Sequence, residues 1–156
     1  EDIVRKMLDN FDDKMSPELL DAVKSSGRSF HEVITMASII EREVRGETDR
    51  GMVSDLFWRR YDAGMGLQAD STVNYVTGKS LPAVTYEDTR TDSPYNTYKY
   101  AGLPPGPIGN LGIEAIEAAV EPTPNDYWYF LTDGEGTVHY ASTLDGHNRN
   151  KAQYLK

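Results

Sequence analysis

The stretch ITMASIIEREV at positions 34–44 has the hydrophobic spacing of an α-helix. Four aliphatic side chains fall within roughly 120° of one another when successive residues are placed about 100° apart: Val33, Met36, Ile39 and Ile40. Glu43 points about 20° from Met36, near the middle of this apolar stripe. Glu41 points about 140° away from Met36 and is expected to be a solvated surface charge. The helix therefore places a carboxyl group on the face that should be buried.

A carboxylate on a buried face costs free energy unless it is paired or protonated. Glu43 is therefore a candidate for a raised pKa and for acid–base chemistry. The alternative is that Glu43 simply marks the end of the helix, where the stripe runs out before Gly46. The helical pattern alone leaves both interpretations open.

The composition of the whole chain limits the classes of protein to consider. A chain of 156 residues is long enough for one domain with a hydrophobic core. The formal net charge of −9 disfavours nucleic-acid binding, because phosphate recognition needs a basic surface. The absence of cysteine excludes disulfides, thiolate zinc ligands and cysteine nucleophiles. No stretch approaches the roughly 18 consecutive apolar residues that indicate a membrane span.

Further helices and one hairpin are predicted on either side of the opening stretch. The helices are expected at residues 1–12, 17–25, 29–45, 48–63, 71–77, 113–120 and 143–156. The expected N-caps are Ser16, Ser29, Thr48 or Asp49, and Asp70 or Ser71. Strands at 127–132 and 137–140 flank the turn sequence DGEG, which is a hairpin signal. The early helices and the late hairpin indicate an α+β fold.

The segment from Gly78 to Asn110 is rich in Pro, Gly, Tyr and Thr, and it is predicted to be mostly irregular. A loop of this length inside a domain is usually functional. Tyrosine rings stack on sugar rings, while Asn, Gln and Thr side chains bond hydroxyl and acetamide groups. The segment therefore suits a sugar polymer, although a purely structural loop braced by its prolines fits the composition as well.

Other signals of catalysis or ligand binding are weak. The three histidines, His31, His139 and His147, have neither HxxxH nor HxH spacing, which disfavours a zinc site. His139 is expected to be structural or exposed on its strand, and His147 to pack or to form a hydrogen bond. Neither a GxSxG nucleophile elbow nor a GxxxxGK(S/T) phosphate loop is present.

Three longer motifs follow one another along the chain. The first, ASI(I/V)E(K/R)E, corresponds to residues 37–43, and the second, LQ(T/A)DxTVxY, to residues 67–75. The third, SPYNTY followed by GLPPGPI, corresponds to residues 93–108. In this order they resemble the endolytic murein transglycosylase family, also called MltG or YceG-like, over roughly residues 30–156. The sequence departs from the family at Asn110-Leu111-Gly112, where Asn-Pro-Gly is frequent, and at Ser71, where Pro is common.

The resemblance implies a mostly helical, lysozyme-like catalytic domain with a long irregular substrate loop and no cofactor or metal. It implies a lyase that cuts peptidoglycan glycan strands internally, between N-acetylmuramic acid and N-acetylglucosamine, and leaves a 1,6-anhydromuramic end. The catalytic residue of the family is the second Glu of the E(K/R)E motif, which corresponds to Glu43. Glu43 would then act first as an acid and afterwards as a base.

Substrate contacts are expected in the second and third motifs. The predicted binding residues are Gln68, Asp70, Thr72, Tyr95, Asn96 and Tyr98. Structural roles stay open for Asp70, as a helix cap, and for Tyr98, as a core residue.

Two other functions of the chain also stay open. A muramidase that hydrolyses the same bond needs a second carboxylate, for which Glu47 or Asp70 is available, whereas a non-catalytic glycan-binding module needs none.

The resemblance also implies a setting for the chain. Residues 1–156 are expected to form a single catalytic domain, with N-terminal helices at about 1–27 and a motif-bearing core at about 30–156. We expect this domain to come from a longer, membrane-anchored protein with a single span, acting at the extracytoplasmic face of the bacterial cytoplasmic membrane. The expected partners are peptidoglycan glycan strands and, through the family, peptidoglycan synthases, but not nucleic acid.

Overall fold

The computed structural model describes residues 2–79 and 84–155. In these ranges the helices are α1 (Asp2–Lys14), α2 (Pro17–Ser25), α3 (Phe30–Glu43), α4 (Glu47–Asp62), α5 (Asp70–Thr77), α6 (Ile113–Val120) and α7 (Leu144–Tyr154). The strands are β1 (Tyr129–Thr132) and β2 (Val138–Ala141).

The predicted α+β fold is confirmed. Residues 1 and 156 of the predicted terminal helices, and 80–83 of the predicted irregular segment, lie outside the described residues. Within the described ranges, no helix combines the length and apolarity that crossing a membrane requires.

Two of the predicted helix caps are confirmed. Ser16 and Ser29 are the N-caps of α2 and α3. Ser29 Oγ accepts the Glu32 N–H at 3.2 Å, and the Glu32 carboxylate accepts the Ser29 N–H at 2.8 Å, which completes a capping box. The side-chain caps predicted for α4 and α5 are wrong, because these helices follow Gly46 and Ala69, and neither start has a side-chain cap bond.

Helix α3 lies at the centre of the core and is buried on nearly every side. Val33 and all residues from 35 to 40 are buried. Helices α4, α5 and α6 pack against it, so the predicted apolar stripe is only part of a larger buried surface. Ser38 Oγ donates to the Thr35 carbonyl at 2.7 Å and accepts the Ile108 N–H at 3.0 Å. This serine therefore joins the central helix to the irregular segment.

Helix α1 is amphipathic, but most of its apolar side chains are exposed. Its exposed apolar residues are Ile3, Val4, Met7 and Leu8. Phe11, further along the same stripe, is half-buried and meets Phe30 edge-on at a ring-centroid distance of 6.4 Å. Among the described residues, α1 thus adds little to the core that α3 organises.

The irregular segment is held in shape by one buried amide. Asn96 is fully buried, and its Nδ2 donates to the carbonyls of Thr89 at 2.9 Å and Thr91 at 2.8 Å. Its Oδ1 accepts the Tyr98 N–H at 3.0 Å. The described part of this segment contains one short 3-10 turn, Asp88–Arg90, and is otherwise irregular, as predicted.

The hairpin and α7 form a unit at the end of the chain. Strands β1 and β2 pair antiparallel with Tyr129 opposite Ala141, and α7 packs against both. His139 Nε2 lies 2.8 Å from Asp133 Oδ2, and its ring stacks on Tyr154 at a centroid distance of 3.6 Å. His139 is therefore structural, which is one of the two predicted roles.

The connection between α4 and α5 crosses the irregular segment at close range. A Cβ added at Gly66 would lie 2.7 Å from the Thr97 carbonyl oxygen. That oxygen accepts the Gln68 N–H at 3.1 Å, and Thr97 Oγ1 accepts the Ala69 N–H at 3.1 Å. Because Thr97 is buried, its carbonyl cannot move aside without disturbing these bonds.

Gly66→Ala is expected to destabilise the protein by roughly 1–3 kcal/mol, because the new methyl group would displace a hydrogen-bonded backbone carbonyl. Gly134→Ala is the matched control, since a Cβ there meets no atom within 4 Å. Urea denaturation followed by circular dichroism measures both variants. A Gly66→Ala protein as stable as the wild type would contradict the close approach.

Candidate active site

A cleft of about 890 Å³ lies between the C-terminal end of α3 and the unit formed by the hairpin and α7. Helix α5 and the irregular segment complete its walls. Residues from all three sequence motifs line it, among them Glu43, Gln68, Asp70 and Tyr98. Residues outside the motifs, among them Tyr129 and His147, line it as well. The cleft is therefore the place where the motifs meet.

Glu43 is the last residue of α3 and lines this cleft, partly exposed to solvent. Its Oε1 accepts the N–H of Ser71, in the first turn of α5, at 3.0 Å. Burial raises the pKa of Glu43 above its ordinary value of 4.5. Hydrogen bonding from Ser71 and the positive charge of Arg42 lower this pKa, while the negative charge of Asp70 raises it. The net result is a carboxyl group that keeps its proton to a higher pH than an exposed glutamate does.

Asp70 and Tyr98 form a hydrogen-bonded pair on the wall beside Ser71. The Tyr98 hydroxyl donates to Asp70 Oδ1, and the Val84 N–H donates to Asp70 Oδ2 at 3.2 Å. Burial, followed by the negative charge of Asp70, raises the pKa of Tyr98, so the hydroxyl keeps its proton. These bonds hold the Asp70 carboxylate where its charge acts on Glu43.

Gln68 is the third predicted binding residue that lines the cleft. Its side chain is exposed, and its backbone has a φ of 54°, in the left-handed region that residues other than glycine seldom adopt. The bond from its N–H to the Thr97 carbonyl holds this conformation. Backbone strain of this kind concentrates at functional sites.

The other three predicted binding residues lie outside the cleft. Thr72 is fully buried, and its Oγ1 lies 2.9 Å from Thr97 Oγ1. Asn96 is the buried amide that organises the irregular segment. The Tyr95 ring packs against Tyr75 at a centroid distance of 5.0 Å. These three residues shape the chain around the cleft. Membership of a motif does not by itself tell such a structural residue from one that contacts a ligand.

Glu41 is not the solvated surface charge that the helical wheel predicts. Its side chain is 28% exposed, and its Oε2 lies 3.3 Å from an Arg50 guanidinium nitrogen. The prediction is wrong because α4, which carries Arg50, covers this side of α3. Of the two glutamates at the end of α3, Glu43 is the one that lines the cleft.

A buried arginine on α4 also lines the cleft, and the sequence did not mark it. Arg60 is 5% exposed, and it donates to the Leu67 carbonyl at 2.6 Å and to the Trp128 carbonyl at 2.9 Å. Its guanidinium carbon lies 5.2 Å from the centre of the Tyr129 ring. Arg60 therefore joins α4 to the connection before α5 and to the hairpin. An arginine in an amphipathic helix usually faces solvent, so the pattern gave no signal of this role.

One face of α7 lines the cleft on the hairpin side. Its residues recur at helical spacing: Leu144, His147, Asn148 and Lys151, with Leu155 directly after the helix. His147 stacks on Tyr129 at a centroid distance of 5.4 Å, which fits the packing role predicted for it. Burial lowers the pKa of His147, and the positive charges of Lys151 and Arg60 lower it further. The spacing was visible in the sequence, but a face this polar does not stand out as a binding surface.

With its raised pKa, the Glu43 carboxyl group can give a proton to a molecule in the cleft and can take one back as a carboxylate. Hydrogen-bond donors and acceptors surround it on the motif side, and aromatic and basic groups lie on the hairpin side. Across the described ranges, no group of three or more His, Asp or Glu side chains is placed to hold a metal ion.

Known proteins are similar in sequence to nearly the whole of this chain. The model of the YceG-like family matches residues 1–153. A relative from Bacillus subtilis (strain 168), named endolytic murein transglycosylase, is 41% identical over 159 residues, which are 99% of this chain and 43% of the relative. A relative of the same name from Streptococcus pneumoniae serotype 2 (strain D39 / NCTC 7466) is 35% identical over 161 residues, which are 99% of this chain and 29% of the relative.

A solved structure has the same fold. The 2.6 Å crystal structure of a yceG-like protein from Listeria monocytogenes matches with a TM-score of 0.87 and 41% identity, covering 95% of this chain and 48% of that one. The chain spans less than half of the length of each of these three proteins. Because the family model matches nearly the whole chain, the chain belongs to the YceG-like family.

Proposed function

We propose that the chain is the catalytic domain of an endolytic peptidoglycan transglycosylase, a lyase. It cleaves the bond between N-acetylmuramic acid and N-acetylglucosamine within glycan strands and leaves a 1,6-anhydro-N-acetylmuramic end. The observation that carries this proposal is the position of Glu43, half-buried at the end of α3 in a cleft of the size of a ligand pocket, where burial raises its pKa. The names of the relatives support the same class of activity.

In the first step Glu43 acts as the acid. Its proton passes to the glycosidic oxygen, the bond from that oxygen to the anomeric carbon of the muramic sugar breaks, and N-acetylglucosamine leaves with the proton. The raised pKa keeps this proton available at a pH where an exposed glutamate has lost it. The negative charge of Asp70 favours the positive charge that develops at the anomeric carbon.

In the second step the Glu43 carboxylate acts as the base. It takes the proton of the muramic 6-hydroxyl while that oxygen bonds to the anomeric carbon, which closes the anhydro ring. Glu43 is protonated again, and no water is consumed. Between the two steps, the Ser71 N–H stabilises the carboxylate form through its bond to Oε1.

The six residues expected to bind substrate divide into two roles. We assign direct contact with the glycan to Gln68, Asp70 and Tyr98, which line the cleft. We assign a positioning role to Thr72, Tyr95 and Asn96, which hold the backbone around the cleft in place and do not line it. The amide of Gln68 and the ring of Tyr98 suit the acetamide groups and the faces of sugar rings.

The setting of the activity follows from its substrate. Peptidoglycan lies outside the cytoplasmic membrane, so we place the domain at the extracytoplasmic face, as part of a longer membrane-anchored protein that works beside peptidoglycan synthases. The match of the family model to residues 1–153 supports treating residues 1–156 as one catalytic domain.

Hydrolysis of the same bond is the second candidate, because a second carboxylate lines the cleft. Asp70 lies next to Ser71, whose N–H binds Glu43, and a muramidase could use it. Its oxygens are already engaged by the Tyr98 hydroxyl and the Val84 N–H, which favours a fixed electrostatic role. Glu47, the other carboxylate considered for hydrolysis, is exposed at the start of α4 and lies outside the cleft.

Glu43→Gln is expected to slow strand cleavage at least about a thousandfold, because it removes both the acid and the base. The amide keeps an oxygen for the Ser71 N–H, so the variant should fold and bind glycan strands. Mass spectrometry of digested sacculi measures the anhydromuramic products.

Glu117→Gln, which changes an exposed glutamate of α6 outside the cleft, is the matched control and should cleave like the wild type. Undiminished cleavage by Glu43→Gln would refute the role of Glu43. A reducing muramic end in the wild-type products would instead favour the hydrolase. Glycan binding by the wild type without any cleavage would favour a non-catalytic glycan-binding module.

The raised pKa of Glu43 also makes stability depend on pH. The folded state holds this proton at pH values where the unfolded chain has lost it. The stabilisation is therefore complete below the ordinary pKa of 4.5, which applies to the unfolded chain, and is lost as pH rises through the folded pKa. Glu43→Gln has no such proton to lose. We therefore compare the thermal midpoint of Glu43→Gln with that of the wild type at two pH values. The variant's midpoint minus the wild-type midpoint is expected to be larger at neutral pH than at about pH 4. The same offset at both pH values, measured by calorimetry beside Glu117→Gln, would show that the pKa is not raised.

A further inference from the structure

Three basic side chains that line the cleft form no ion pair with any described residue: Arg42, Arg60 and Lys151. The chain has 25 acidic residues against 16 basic ones, so carboxylates are abundant. The other two arginines of α4 are paired, Arg50 with Glu41 at 3.3 Å and Arg59 with Asp55 at 3.0 Å. Basic groups left unpaired around one cleft therefore point to a ligand that carries negative charge.

Two of these charges, those of Arg60 and Lys151, lie on the hairpin side of the cleft. His147 and Lys151 are four residues apart and share the face of α7 that lines it. The Tyr129 ring contacts both the His147 ring and the Arg60 guanidinium, at 5.4 Å and 5.2 Å. The positive charges of Lys151 and Arg60 both lower the pKa of His147, after burial, which reflects their proximity. We call Arg60, His147 and Lys151 the basic wall.

The two sides of the cleft differ in charge. Glu43 and Asp70 lie on the motif side, at the end of α3 and at the start of α5, together with Arg42. Among the described lining residues the acidic groups are confined to this side, so a molecule that spans the cleft meets carboxyl groups at one side and only basic charges at the other. The site can orient a ligand whose negative charge is confined to one part.

The proposed substrate has this distribution of charge. The sugar rings of a glycan strand are uncharged. Its carboxylates belong to the lactyl ether of muramic acid, either as the free lactyl group or as the stem peptide attached to it. N-acetylglucosamine carries no such substituent. Uncharged sugars alone would leave the basic wall with no counter-charge and would partly desolvate it, at a cost in free energy.

We propose that the basic wall binds a carboxylate of the lactyl or stem-peptide substituent of muramic acid and thereby sets which glycosidic bond reaches Glu43. The inference rests on the proposed function. Arg60 supplies a charge fixed by its bonds to backbone carbonyls, and Lys151 supplies an exposed and adaptable one. Because the two sugars of the strand alternate, recognition of the substituted one selects one of the two kinds of bond.

Lys151→Gln tests the basic wall without disturbing the core, since Lys151 is exposed on α7. Binding is measured in a Glu43→Gln background, which leaves strands intact. Three kinds of strand are compared: strands with stem peptides, strands stripped by an amidase to the free lactyl carboxylate, and strands whose carboxylates have been converted to amides. Lys151→Gln is expected to raise the Kd about threefold on strands with stem peptides, on stripped strands, or on both, and to leave the Kd for amidated strands unchanged.

Arg149→Gln is the matched control. It removes a charge from the same helix, but its side chain is 72% exposed and lies outside the cleft, so the Kd should not change. An effect of Lys151→Gln that is lost on stripped strands assigns the carboxylate to the stem peptide. An effect seen only on stripped strands assigns it to the free lactyl group, an effect on both kinds of strand shows that the basic wall accepts either carboxylate, and all three results support the proposal.

Equal affinities of Lys151→Gln and its parent for every strand would overturn the proposal. So would a loss that persists on amidated strands, or an equal loss in Arg149→Gln. If the parent bound no strand of any kind, the proposed function would fail with it. Binding that is insensitive to Lys151 would overturn this inference alone.

Discussion

The enclosure of α3 is the constraint on which the rest of the structure depends. A helix buried on nearly every side can present a polar group to solvent mainly at its ends, and Glu43 is its last residue. The helices that bury the apolar residues of α3 also remove water from beside this carboxyl group. The raised pKa is therefore a consequence of core packing, and the cleft opens where that packing stops.

Helix α5 depends on the same contact. No side chain caps its N-terminus, and one of its first N–H groups, that of Ser71, is satisfied by Glu43 instead. Asp70, which the sequence suggested as a cap, is left to bond Tyr98 and Val84. This one hydrogen bond thus satisfies an N–H group at the start of α5, stabilises the ionised form of Glu43 and links α3 to α5. Burial and this bond shift the pKa of Glu43 in opposite directions, which suits the role that we propose for it, first as acid and then as base.

Patterns along the chain predicted the helices, the hairpin and the place of Glu43, because helical periodicity and turn residues are local properties. They could not predict that α4 covers Glu41, since that depends on which helix packs on which side of α3. Arg60 was missed for the same reason: its partners are backbone carbonyls 7 and 68 residues away. Thr72 and Asn96 share motifs with Asp70 and Tyr98, and only the folded chain separates the residues that build the cleft wall from those that line it.

Among the described residues, helix α7 packs against the hairpin and not against the central core. It has no buried residue, and ring stacking of His139 on Tyr154 and of His147 on Tyr129 contributes to holding it on the hairpin. Its release would expose little apolar surface, so local opening costs far less free energy than global unfolding. A polymer that is cut within its length offers no free end to thread through a closed tunnel. For the internal cleavage that we propose, an outward movement of this wall would let a strand enter sideways and let both halves depart.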